Sequence, residues 1–154
     1  MANNKSIVLS PLSGTVFNIE QLDHPLYGMQ FLGFGVGLKL SGSVLIAPFN
    51  GELSNLSLVQ RCVQIRATNG LMMQIQIGIN QPFQHGEGLN TQLKKQTNIK
   101  RGERLFEFNL HQLKQHSSDI ICAITILNSH KLTDILPHYH TVMAGQDPLF
   151  TVTV

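Results

Sequence analysis

The chain has 154 residues, of which 42% are hydrophobic and 13% charged, with a net charge of +2. A chain of that size buries about 70% of its unfolded surface, so the composition describes a core-forming domain and excludes a disordered segment. The small charge excludes a nucleic-acid face, because Lys94-Lys95 with Lys100-Arg101 and Arg104 form only a loose, solvated cluster.

In chain order, short apolar or alternating runs recur between Gly, Pro, Asn and Asp, and each reads as a strand. The predicted strands are Ser6–Leu9, Gly14–Asn18, Val36–Leu40, Ser43–Ile46, Gly51–Leu58, Val63–Ala67, Met72–Gln76, Leu105–Phe108, Ile120–Ile126 and Leu149–Val154. Val63–Ala67 alternates cleanly, as a half-buried strand does. Short helices are predicted at His24–Gln30, Asn90–Gln96 and Leu110–His116, and Thr133–Tyr139 is ambiguous because Pro137 stops a helix there. The expected architecture is a single all-β domain over residues 1–154 with a few short helices.

Cys62 and Cys122 lie far apart in apolar stretches, which reads as two buried thiols in a reducing cytoplasm. The opening residues form no signal-peptide core, and no apolar run approaches the roughly 20 residues that span a bilayer. The expectation is a soluble, cytoplasmic protein without membrane insertion.

Two weak repeats run through the chain. Ser10-Pro11-Leu12-Ser13-Gly14 echoes Ala47-Pro48-Phe49-Asn50-Gly51, and Lys100–Phe106 echoes Ala144–Phe150. In the first kind, Pro fixes φ and Gly frees a turn before a strand. Such duplications suit a sandwich closed into a barrel.

The same residues carry a family resemblance. Ser10–Gly14 resembles the opening of glucose-type enzyme IIA domains of the bacterial sugar phosphotransferase system, and Ala47–Gly51 resembles their Ala-Pro-Val-Asp-Gly. Asn69-Gly70 with Ile77-Gly78-Ile79-Asn80, His85-Gly86-Glu87-Gly88-Leu89 and Lys100–Asn109 are similar to further family motifs, in order and at matching spacing from about Ser10 to Val154. The resemblance implies a β-sandwich of the barrel-sandwich hybrid type.

It does not imply the activity. The family's phosphoryl-accepting histidine falls on Gln76 and its second histidine on Arg61. A threonine that bonds the second histidine falls on Val59, and two flanking acids fall on Phe34 and Asn80. A phosphohistidine needs a neutral imidazole nitrogen. A carboxamide nitrogen has a delocalised lone pair, and a guanidinium stays protonated with no acceptor. The catalytic set is therefore expected to be absent and the chain to be no enzyme, with no cofactor and no metal.

Three functional readings remain open. In the first, the former site is a protein-docking patch built from Phe34, Val36, Arg61, Met72, Met73 and Gln76. Its partners are those that the resemblance implies: sugar permeases at the membrane, glycerol kinase and adenylate cyclase. In the second, those apolar residues simply fill the old pocket. In the third, another histidine takes the phosphoryl group, His85 being the nearest in sequence, although it aligns with a surface lysine of the family. Arg61 and Arg66 as a small-molecule anion site are disfavoured, because residues five apart lie on opposite strand faces. His138-Tyr139-His140 offers two imidazoles on one side but no third metal ligand.

Overall fold

The computed structural model describes residues 5–22, 33–57, 60–79, 89–90, 96–114 and 119–153. Its strands are β1 (Lys5–Leu9), β2 (Gly14–Asn18), β3 (Phe34–Leu40), β4 (Val44–Ile46), β5 (Gly51–Ser57), β6 (Cys62–Ala67) and β7 (Met72–Gln76). They continue as β8 (Leu89–Asn90), β9 (Asn98–Ile99), β10 (Arg104–Phe108), β11 (Ile121–Ile126), β12 (Asp134–Pro137), β13 (Thr141–Val142) and β14 (Pro148–Thr153). A four-residue helix, α1 (Leu110–Leu113), falls within the predicted Leu110–His116, and 3-10 turns occupy Ile19–Gln21 and Ser129–Lys131. The predicted helix at His24–Gln30 lies outside the described residues. Of Asn90–Gln96, the ends are described, and Asn90 closes strand β8 instead of opening a helix.

One sheet has the order β13-β2-β3-β11-β7-β6-β5-β9, and two smaller sheets have the orders β1-β14-β12 and β4-β10-β8. Between them lies one apolar core. Val36, Leu38, Ile65, Ile75 and Ile124 enter it from the large sheet, Leu45 and Phe106 from the β4-β10-β8 sheet, and Phe150 and Val152 from the β1-β14-β12 sheet. This is a β-sandwich, built from inward residues that recur every second position.

The ambiguous stretch resolves as a strand. Asp134–Pro137 pairs antiparallel with β14 at the sheet edge, where a proline without an N–H is tolerated.

The weak repeats correspond to two equivalent joints. Ser10 N–H donates to Asp147 O at 2.8 Å and Gly145 N–H to Ser10 O at 2.8 Å. Ala47 N–H likewise donates to Glu103 O at 2.8 Å and Gly102 N–H to Ala47 O at 2.9 Å. A side-chain oxygen closes each joint: Ser13 Oγ accepts from Ala144 N–H and Asn50 Oδ1 from Arg101 N–H, both at 2.8 Å. Gly102 and Gly145 both take positive φ, the conformation that these turns require.

Candidate functional site

Strands β6 and β7 form the hairpin that carries Arg61 and Gln76, at the end away from its Asn69-Gly70 turn. Register places Gln76 opposite Cys62 on one side and Ala123 of β11 on the other. Alternation sends Met73, Ile75 and Ile77 into the core, each wholly buried, and leaves Met72, Gln74 and Gln76 on the outer face. On β6 the outer residues are Cys62, Gln64 and Arg66, and on β11 they include Ala123 and Thr125. Gln64 Nε2 donates to Gln74 Oε1 at 2.9 Å, tying the two strands by an amide pair. Gln76 is half-buried, and its Nε2 reaches Gln60 O at 3.5 Å.

Arg61 does not face outward. Only 1% of it is exposed, its Nε donates to Ile77 O at 3.0 Å and its Nη2 to Gly78 O at 3.1 Å. Its own carbonyl accepts from Ile77 N–H at 2.9 Å, so the residue staples the start of β6 to the segment leaving β7. It holds a φ of 52°, a left-handed conformation that costs a non-glycine residue about 1–2 kcal/mol. Hydrogen bonds from a charged donor, at about 1.5–3 kcal/mol each, offset that strain.

Below Gly78 the Cys122 thiol is fully enclosed. Burial pushes its pKa up to about 12, against the lowering pull of the Gly78 N–H and the Arg61 charge. Cys62 is half-buried and burial raises it to about 11. The expectation of two buried thiols therefore holds for Cys122 and is corrected for Cys62, whose place on the outer face leaves part of it open. Both thiols stay neutral and poorly nucleophilic near neutral pH.

The patch assembled from the sequence is split by the pleat. Phe34 pairs with Ile126 and Val36 with Ile124, so both point inward with Met73, away from Gln76. Phe34 is half-buried against the Phe150 ring, with centroids 6.5 Å apart in an edge-on arrangement. Val36 and Met73 are wholly buried, which removes them, with inward-turned Arg61, from any contact surface. Of the six residues, Met72 and Gln76 keep partial exposure on the outer face. Val59, Asn80 and His85 lie outside the described residues.

The outer face is partly covered beside Gln76. Ile19 and Ala123 form a small second cluster with Leu22 and Ile79 packed against it. Gly37, next to Ala123, has no room for a Cβ because the Phe17 ring lies there. Sequence reasoning missed Cys62 and Ala123 as neighbours of Gln76, and Ile19 as the residue packed on Ala123. Strand alternation alone would have found Cys62, once the Asn69-Gly70 turn fixed the hairpin register.

Arg66 is exposed and sits 3.8 Å from Glu52, apart from enclosed Arg61, so the two do not form an anion site. His138 and His140 have ring centroids 6.1 Å apart. Each is bound elsewhere, His138 Nε2 to Thr151 Oγ1 at 2.8 Å and His140 Nδ1 to Thr141 O at 3.0 Å. Among the described residues no group of three His, Cys, Asp or Glu side chains could hold a metal. Among them too, no helix is long and apolar enough to cross a membrane.

The sandwich is that of a known transport component. The solved structure of glucose permease IIA from Mycoplasma capricolum matches 97% of this chain and 96% of its own, with a TM-score of 0.81 at 17% identity. The family model described as phosphoenolpyruvate-dependent sugar phosphotransferase system, EIIA 1, matches residues 6–132, and the chain belongs to that family. Among curated relatives, the glucose-specific EIIA component of Bacillus cereus is 28% identical over 126 residues, covering 82% of this chain and 76% of the relative. That of Buchnera aphidicola subsp. Acyrthosiphon pisum is 25% identical over 150 residues, covering 97% and 93%.

Proposed function

We propose that this chain is a cytoplasmic enzyme IIA-type component that has left the phosphate relay. It acts as a constitutive regulatory module, engaging a protein partner through the outer sheet face at Gln76, Met72 and Cys62. The observation that carries this reading is the pair of replacements at the hairpin end. An amide stands at the position that the family resemblance gives to the phosphoryl acceptor, and the neighbouring guanidinium is turned inward onto two carbonyls. An amide nitrogen offers no lone pair for attack on phosphorus, and an enclosed guanidinium offers neither a nucleophile nor a surface charge. The outer face therefore keeps one charge state whatever the phosphorylation of the upstream carriers. The partners implied by the family resemblance are a sugar permease or a cytoplasmic enzyme of carbon metabolism.

Incubation with phosphoenolpyruvate and the purified upstream carriers tests the first half. The expected result is no acid-labile phosphorylation, and a phosphoryl group located on any residue of this chain overturns it. For the second half, binding of a purified permease is measured with wild type and with Gln76→Glu. The variant is expected to lose binding, because its carboxylate introduces the negative charge that the wild-type face never acquires.

A second reading, a filled and functionless site, is favoured by one observation: Ile19, Leu22 and Ile79 pack over Ala123 beside Gln76. Under that reading Gln76→Glu leaves every interaction unchanged.

A further inference from the structure

The opposite end of the same hairpin is built differently. From Cys62 to Ala67 a strand rises about 17 Å, and there the Asn69-Gly70 turn stands between two cavities. The first, of about 210 Å³, is lined by Ser6, Ile7 and Val8 of β1, by Phe49 and Leu71, and by exposed Arg101. The second, of about 140 Å³, is lined by Gly70 and Asn128 and by exposed Lys131. The two share Asn69, Leu71 and Val152 in their walls, and among the described residues neither is lined by a carboxylate.

The divider is rigid. Asn69 Oδ1 accepts from Leu71 N–H at 3.1 Å, while Asn128 Oδ1 accepts from Met72 N–H and Asn128 Nδ2 donates to Gly70 O, both at 2.9 Å. Each cavity falls below the roughly 300–1,000 Å³ of a small-molecule pocket, so each suits an anchoring side chain better than a whole ligand. β1 is also an edge strand, paired with β14 and with no strand on its other side among the described residues. An exposed edge presents unpaired N–H and C=O groups, and an added strand uses them for affinity while pockets read its alternate side chains. Ile7, 55% exposed, adds apolar surface at that edge.

We infer that this end binds an extended acidic peptide of a partner protein. The peptide adds to β1 as a further strand, seats an apolar side chain over Phe49 and Leu71, and brings a carboxylate to Arg101. A cavity lined by exposed Arg101 and, among the described residues, by no acid is complementary to such a segment and repels a basic one. Because it lies at the far end of the hairpin from Gln76, this site stands or falls independently of the outer-face reading.

The test is selection of displayed random peptides on the full chain, followed by amide chemical-shift mapping with the recovered sequences. The expected peptides alternate apolar residues with Asp or Glu, and they shift Ser6–Val8 and Asn69–Leu71. Arg101→Glu weakens them about tenfold or more, as loss of a hydrogen bond to a charged group does. Backbone N-methylation at alternate peptide residues abolishes binding. Arg101 is exposed, so its replacement leaves the fold intact, and Lys131→Glu supplies a second, smaller loss. The proposal is overturned if no peptide is recovered, or if those recovered lack acids or ignore Arg101→Glu. Shifts centred on Met72 and Gln76, or a self-associated chain occupying the β1 edge, overturn it equally.

Discussion

The two ends of the β6–β7 hairpin have opposite characters. At one end Arg61 closes the strand openings with its own guanidinium, and Ile19, Leu22 and Ile79 pack against Ala123 beside Gln76. At the other, two asparagines hold a turn between cavities that stay open. The contrast teaches that one hairpin can be closed at one end by internal bonding while its other end holds cavities open. How much the Arg61 guanidinium contributes to that closure is the sharpest question that this contrast raises.

The largest effect is expected from Arg61→Ala. It removes two charge-assisted hydrogen bonds and leaves the Ile77 and Gly78 carbonyls enclosed without that donor, so stability should fall by about 3–5 kcal/mol. Urea unfolding measures it, and a loss near zero would mean that the guanidinium ties nothing together. At the turn end, Asn128→Ala deletes the bonds to Met72 and Gly70. It should cost about 1–2 kcal/mol, with faster amide exchange confined to Gly70–Met72. An equal or larger loss than that of Arg61→Ala would reverse the contrast between the ends.

A third test concerns pH. Cys62 is raised from 9.0 to about 11 and Cys122 from 9.0 to about 12, so between those values the unfolded chain releases thiol protons that the folded chain retains. The thiol contribution to stability is thus full below about pH 9 and is lost as pH climbs toward 11–12. Urea midpoints should decline over that window, less steeply in Cys62→Ala. An unchanged slope in that variant would place the Cys62 thiol in water.

Much of the sandwich was legible because alternation and turn residues speak locally. Met72–Gln76 and Gly14–Asn18 occur as predicted, and the Ser10 and Ala47 repeats mark two equivalent joints. The composition of the site face was less accessible. Phe34 and Gln76 lie on opposite faces because β3 begins at Phe34 and pairs in unbroken register with β11. Neighbouring Met72 and Met73 cannot share a face on any strand, which the pleat alone forbids. Arg61 was hidden for another reason. Charged residues are almost always expected outside, and only the three-dimensional approach of the Ile77 and Gly78 carbonyls makes an enclosed guanidinium acceptable.

The paired joints have a consequence for how the molecule comes into being. Ser10 finds its partner at Asp147 and Ala47 finds its own at Glu103, so each turn waits for a segment made much later. A topology dominated by such distant closures folds slowly. On the ribosome β1 must emerge with both edges bare, and its pairing edge stays so until β14 has also been made.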